Sequence, residues 1–230
     1  MPVTRTSVLT ATVVAAALAV PASASAAPTI TPDRQCYSPG DDFTLSGSGF
    51  AASAPVKLSI DGRRPLHADL TSDALGTFTS RIAVEQPLVD ALLRDDEGYA
   101  RVALSATDAP TDPAVAPGTA TSSTLISRWG TFWNQDGDAI RPSRPLEMQV
   151  FGFTGSAGRS LYLHYVRAGR RAATVKLGRL QGPCGVLHTT LRQAMPRRIV
   201  KPGKWRFAFT LKATDHRAAP GYSYTVTVKP

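Results

Sequence analysis

Along most of this chain apolar and polar residues alternate with the two-residue period of strands, and no segment of ordinary helix length carries an apolar stripe at the 3.6-residue period. The alternation is clearest in Lys204–Leu211, where Trp205, Phe207, Phe209 and Leu211 fall on one face, against Lys204, Arg206, Thr210 and the following Lys212 on the other. Tyr222, Tyr224, Val226 and Val228 repeat the pattern in Tyr222–Val228. The same period predicts strands at Asp42–Ser46, Val56–Ile60, His67–Leu70, Thr77–Val84, Ala100–Ala106 and Thr119–Ile126 in the first half. In the second half it predicts Leu146–Phe151, Leu161–Val166, Ala173–Leu177 and Val186–Leu191. Turn signals stand between them, among them Ser38-Pro39-Gly40, Asp61-Gly62 and Asp73–Gly76. One helix of one or two turns is expected at Pro87–Arg94.

Two runs of about seven strands, each within about 100 residues, match what two antiparallel β-sandwiches in tandem require. The boundary is placed near Ser127, giving domains at residues 27–127 and 128–230. The Pro- and Ala-rich segment Ala109–Gly118 competes as a linker. Thr119–Ile126 is needed as the last strand of the first sandwich, so that segment reads instead as a long hairpin loop.

Ahead of the strands, residues 1–26 run from a single cation, Arg5, through an apolar stretch ending at Val20, to small residues up to Ala26. That order is the one a secretory signal peptide has. Pro21 and Ser23 end the apolar run short of the roughly 20 residues a spanning helix needs. No later stretch is expected to span a bilayer, no Cys lies near the cleavage point to take a lipid, and the final strand carries no sorting tail. The expected product is extracellular, either released or held at the envelope without a covalent anchor.

Charge changes the picture further. Residues 28–127 hold 7 Lys plus Arg against 13 Asp plus Glu, whereas residues 128–230 hold 18 against 4, so an acidic domain of −6 is followed by a basic one of +14. Hydrophobic residues at 43% are enough for packed cores and exclude wholesale disorder. The basic half concentrates its cations around two predicted hairpins. Arg167, Arg170, Arg171, Lys176 and Arg179 surround one, and Arg192, Arg197, Arg198, Lys201, Lys204 and Arg206 the other. If the hairpins adjoin, they form a surface able to hold a phosphate-bearing or uronic-acid polymer through counterion release. The alternative is that opposite charges help the two domains dock.

The segment Gly47–Phe50 (GSGF), followed by Pro55–Leu58, Asp61-Gly62 and Asp73–Thr79 (DALGTFT), resembles bacterial Ig-like domains of secreted actinobacterial proteins. In the second half Phe151–Phe153 (FGF), Tyr162–Val166, Leu177–Gly185 and Lys201–Trp205 resemble the C-terminal sandwich of a similar group. Twenty Arg against six Lys agrees with a GC-rich genome. The resemblance implies an all-β chain of two tandem Ig-like sandwiches after a signal peptide, and it implies no activity.

Candidate chemistry is sparse. Cys36 and Cys184 in an exported chain invite a disulfide between the two domains, at their junction, with Cys36 placed in the first loop of its sandwich. The sharper alternative, a nucleophilic Cys184 served by His188 or His164, is disfavoured because positions 184 and 188 of a strand stand roughly 13 Å apart. The histidines His67, His164, His188 and His216 have no chelating spacing. Asp41-Asp42, Asp95–Gly98 and Asp136–Asp138 are read as solvated loop charge rather than as calcium ligands. No G-x-S-x-G elbow is present. The sequence thus points to a non-enzymatic binding module needing no cofactor or metal, whose partner is an anionic cell-wall polymer or another protein rather than nucleic acid. A structural spacer with a fixed interdomain angle is the alternative.

Overall fold

The computed structural model describes residues 26–62, 64–135 and 139–229, with the side chains of residues 64–69 left aside. The expected signal segment up to residue 25, the side chain of His67 and the Asp136–Asp138 turn lie outside the described residues. In the first half the strands are β1 (Thr29–Pro32), β2 (Cys36–Tyr37), β3 (Asp42–Ser48), β4 (Pro55–Ile60), β5 (Arg64–Thr71), β6 (Phe78–Ala83), β7 (Tyr99–Asp108) and β8 (Thr119–Ser127). Helix α1 (Gln86–Leu92) joins β6 to β7 and buries Val89. The second half holds β9 (Gly130–Trp133), β10 (Ala139–Ile140), β11 (Leu146–Phe151), β12 (Ser160–Arg167), β13 (Arg170–Arg179), β14 (Leu187–Leu191), β15 (Gly203–Thr210) and β16 (Gly221–Val228).

These strands form four sheets, ordered β1-β3-β6 and β2-β8-β7-β4-β5 in the first half, then β14-β11-β9 and β10-β16-β15-β12-β13 in the second. Adding eight to each strand number of the first pair gives the second pair, so one three-plus-five sandwich is built twice. The fold is two tandem Ig-like β-sandwiches. One expectation needs correcting: the sheets are not wholly antiparallel, because β2 pairs parallel with β8 and β10 parallel with β16. Each sandwich opens with a broken strand, its first piece pairing antiparallel in the small sheet and its second parallel in the large one. Cys36 therefore sits in a strand, β2, and not in a loop.

Alternation places the core as expected. Tyr37, Leu45, Leu58 and Leu104 are fully buried in the first half, and Leu161, Leu163, Tyr165, Phe207 and Phe209 in the second. Each buried side chain of this size contributes about 1.5–3 kcal/mol. The buried apolar residues separate into two clusters, one running from Ile30 to Ile126 and the other from Ile140 to Val228.

The duplication also explains the glycine motifs. After β3 and after β11 a Gly-Phe pair, Gly49-Phe50 and Gly152-Phe153, turns the chain with positive φ and drives the Phe into its core. A second glycine closes over each Phe. A Cβ on Gly76 (φ +70°) would stand 2.0 Å from the Phe50 carbonyl oxygen, and one on Gly185 (φ +59°) 2.1 Å from that of Phe153. Both positions need glycine for conformation and for space. Gly185→Ala is expected to cost about 1–3 kcal/mol, read as a lowered denaturation midpoint. An unchanged midpoint would contradict this packing.

The two sandwiches meet through a bonded junction. The Cys36–Cys184 disulfide joins β2 to the turn after β13, with 5.3 Å between Cα atoms. Beside it, Ser38 Oγ donates to the Gly152 carbonyl (3.2 Å), Trp129 Nε1 to the Pro39 carbonyl (3.1 Å), and Thr154 Oγ1 to Asp41 Oδ2 (3.0 Å). Arg128 Nη2 donates to the Arg94 carbonyl at 2.9 Å. Phe151 packs at 4.9 Å from Phe132, in space that a Cβ on Gly98 or Gly130 would occupy.

Candidate functional site: a basic pole

The strand registers decide where the predicted cations go. β11 reaches the junction at Phe151, which lies against Gly98, so its other end, Leu146, points away from the first sandwich. β14 runs back along it and ends with Leu191 opposite Leu146. In the large sheet Arg167 pairs with Arg170 at the β12–β13 turn, and β15 starts beside that end, with Arg206 opposite Val166. Arg167, Arg170, Arg192, Arg197, Arg198, Lys201 and Lys204 therefore gather at the far pole of the second sandwich. Arg171 and Arg206 stand just above it on the outer face of the sheet.

The two predicted hairpins are joined at this pole. Arg167 lies over the Trp205 ring at 5.4 Å and donates through Nη2 to the Pro202 carbonyl at 3.1 Å. Trp205 Nε1 in turn donates to the Lys201 carbonyl at 2.8 Å. Lys176 and Arg179 are not part of the group. Arg179 pairs with Ser160 at the junction end of the hairpin, about 30 Å from Arg170 by strand rise. Lys176, opposite Tyr162, is about 20 Å away. A regular hairpin ten residues long necessarily separates the ends of its charge run.

Three cations at the pole were not singled out from sequence: Arg141, Arg144 and Lys229. Ala194 N donates to the Arg144 carbonyl at 2.9 Å, and Lys229 N to the Ile140 carbonyl at 3.0 Å, which brings both segments to this end. Arg141, Arg144 and Lys229 line a cleft of about 320 Å³ together with Gln135 and Glu147. The signal available in the sequence was their place just before β11 and just after β16. Reading it required the strand order.

Among the described residues, the ion pairs are Arg34 with Asp33 and with Asp41, and Arg81 with Asp42. All lie in the first sandwich, so the cations of the pole stand without carboxylate partners there. The acidic loops expected to be solvated are used by the fold. Asp41 Oδ2 accepts from Ser38 N at 2.7 Å as well as from Thr154, and Glu97 Oε2 accepts from Arg94 N at 3.1 Å. No three His, Cys, Asp or Glu side chains among the described residues converge as a metal site. Both sulfurs are in the disulfide and neither is a free thiol. No helix among the described residues is long and apolar enough to cross a membrane.

Sequence alternation places His164 on the outer face of the large sheet, yet its side chain is fully buried. Its Nδ1 lies 2.9 Å from Thr174 Oγ1 and its Nε2 2.8 Å from Thr210 Oγ1. Thr210 Oγ1 also reaches the carbonyls of Lys212 (2.9 Å) and Asp215 (3.1 Å), so the loop at 211–220 folds down over the ring. Burial, and then the Arg171 charge, hold the His164 imidazole below its ordinary range. The unfolded chain consequently binds a proton that the folded one resists. His164 contributes stability above the ordinary histidine value near pH 6.5, and that contribution is lost as the pH falls below it. The melting temperature is expected to fall between pH 7.5 and pH 5 by more in the native chain than in His164→Gln. Parallel pH profiles would contradict the assignment.

No protein-family model matches the chain, and no curated protein matches it. Among solved structures it is similar to E. coli alpha-2-macroglobulin in its native conformation, at 8% identity and a TM-score of 0.40 over 88% of this chain and 17% of that one. It is also similar to the same macroglobulin activated by porcine elastase (11%, TM-score 0.42, 89% and 22%) and to the human OSCAR ligand-binding domain (13%, 0.31, 88% and 95%). The chain thus spans about a fifth of the macroglobulin's length.

Proposed function

We propose that this chain is a secreted or envelope-associated binding module, without enzymatic activity, whose basic second domain contacts an anionic polymer or a partner protein. The observation that carries the reading is the far pole: arginines and lysines from four separate segments brought to one end, with no ion pair among the described residues to neutralise them. Counterion release makes such a surface a general acceptor of polyanions. Export is supported by the order of residues 1–26 and by the disulfide, a bond of oxidising compartments. Binding rather than catalysis is supported by the chemistry that the described residues gather at the pole, which is cationic.

A second reading is a spacer that holds its two ends at a fixed angle. The junction favours it, since a covalent bond and the side-chain hydrogen bonds of Ser38, Arg128, Trp129 and Thr154 between the sandwiches surround one hinge point. Co-sedimentation of the purified chain with isolated cell walls of its source organism separates the two. The binding reading expects the protein in the pellet at low salt; protein left in the supernatant at all salt concentrations would contradict it and leave the spacer.

A further inference from the structure

The outer face of the second domain's large sheet carries an arrangement that the pole alone does not explain. Val166 of β12 pairs with Arg171 of β13 on one side and with Arg206 of β15 on the other, so the two arginines flank it on one face, about 10 Å apart. The loop at 211–220 passes over this face and brings His216 down, its ring 6.4 Å from that of His164. The Nε2 atom of His216 is enclosed and has no hydrogen-bond partner. Arg171 commits one nitrogen, Nη1, to the Ala213 carbonyl at 3.1 Å. Arg206 has no side-chain hydrogen bond or ion pair among the described residues, so it is free to turn aside and admit a ligand.

The charges around His216 are one-sided. Arg171 faces it from β13, Arg206 from β15 and the His164 ring from β12, while its own loop adds Arg217 and Asp215. Asp215, the one carboxylate in this group, already accepts from Arg217 N at 2.9 Å. Two guanidinium forks and an imidazole offer more donors than the two oxygens of a planar carboxylate can take. They suit the tetrahedral oxyanion of a monoester, which presents three terminal oxygens.

We propose that Arg171, Arg206 and His216 together hold one tetrahedral oxyanion, a phosphate or sulfate monoester group of the anionic polymer. This rests on the binding reading above and narrows it from polyanions in general to those bearing such esters. The bound anion completes the unpartnered Nε2, and its negative charge offsets the burial and the arginine charges that hold His216 below its ordinary range.

The test is a titration of the full chain with inorganic phosphate, followed by the imidazole proton resonances of His216. A saturable shift is expected, together with a higher His216 pKa in the presence of phosphate, and acetate is expected to produce neither. Arg206→Gln should weaken phosphate binding about tenfold with its denaturation midpoint unchanged, and His216→Gln, which keeps a donor, should bind but lose the dependence on pH. A parallel sulfate titration names the ester by the tighter ligand. A His216 resonance indifferent to both ions, or phosphate affinity unchanged in Arg206→Gln, would overturn the site. Wall binding without a phosphate response would sink this inference and leave the binding module standing. A phosphate response without wall binding would sink the binding module and leave an oxyanion site with no wall polymer as its ligand.

Discussion

Cys184→Ser is expected to lower stability by about 5 kcal/mol, the chain-entropy value for a loop of this size, since the disulfide closes 148 residues of sequence. That loop contains most of the first core and half of the second, so opening it restores freedom to nearly the whole unfolded chain. Denaturant titration of the variant, and of the native chain with and without reductant, measures the loss, and the two should agree because the bond is the common cause. The folded sandwiches should survive individually, each with its own core. Small-angle scattering should then report a wider range of interdomain angles, limited by the remaining contacts of Ser38, Arg128, Trp129, Phe151 and Thr154. A variant with an unchanged midpoint would show that the bond contributes nothing beyond those contacts.

The second large effect is on binding. Replacing Arg170, Arg198, Lys201 and Lys204 together with Glu is expected to weaken wall binding by about 10²–10³-fold at physiological salt, from four lost ionic contacts. These four are chosen because all are exposed and no hydrogen bond or ion pair holds their side chains among the described residues. Other cations would confuse folding with binding. Arg167 covers Trp205, Arg171 ties down Ala213, and Arg197 lies within hydrogen-bonding reach of the Gln193 amide oxygen once that amide is turned to face it. The denaturation midpoint of the fourfold variant should match the native one. Unchanged wall binding would remove the pole from the account.

How far the sequence carried this picture depends on the length and company of each element. Strands such as β15, with three large aromatic residues in strict alternation, were legible almost to their ends, and so was the helix at Gln86–Leu92. The missing ones were β1, β2, β9 and β10, of two to four residues. Segments that short hold no period, and two of them are fixed by parallel pairing with a distant final strand, a tertiary event. The repeat of one architecture was hidden for a related reason, because the two halves share little beyond Gly-Phe pairs and the glycines that close over them. The site was legible as charge but not as place. Sequence proximity grouped Lys176 and Arg179 with Arg170, and only strand direction separates them. Arg141, Arg144 and Lys229 needed the sheet order before they could join the group. His216 gave no signal at all, since its surroundings come from three other elements.

The most direct measurement is the affinity of the native chain and of the fourfold pole variant for isolated cell walls across a salt series. Native binding is expected to fall linearly in log K against log salt, with a slope whose magnitude shrinks by about three to four in the variant, as four contacts are lost. Binding that is insensitive to salt, or a slope that is the same in both proteins, would contradict it.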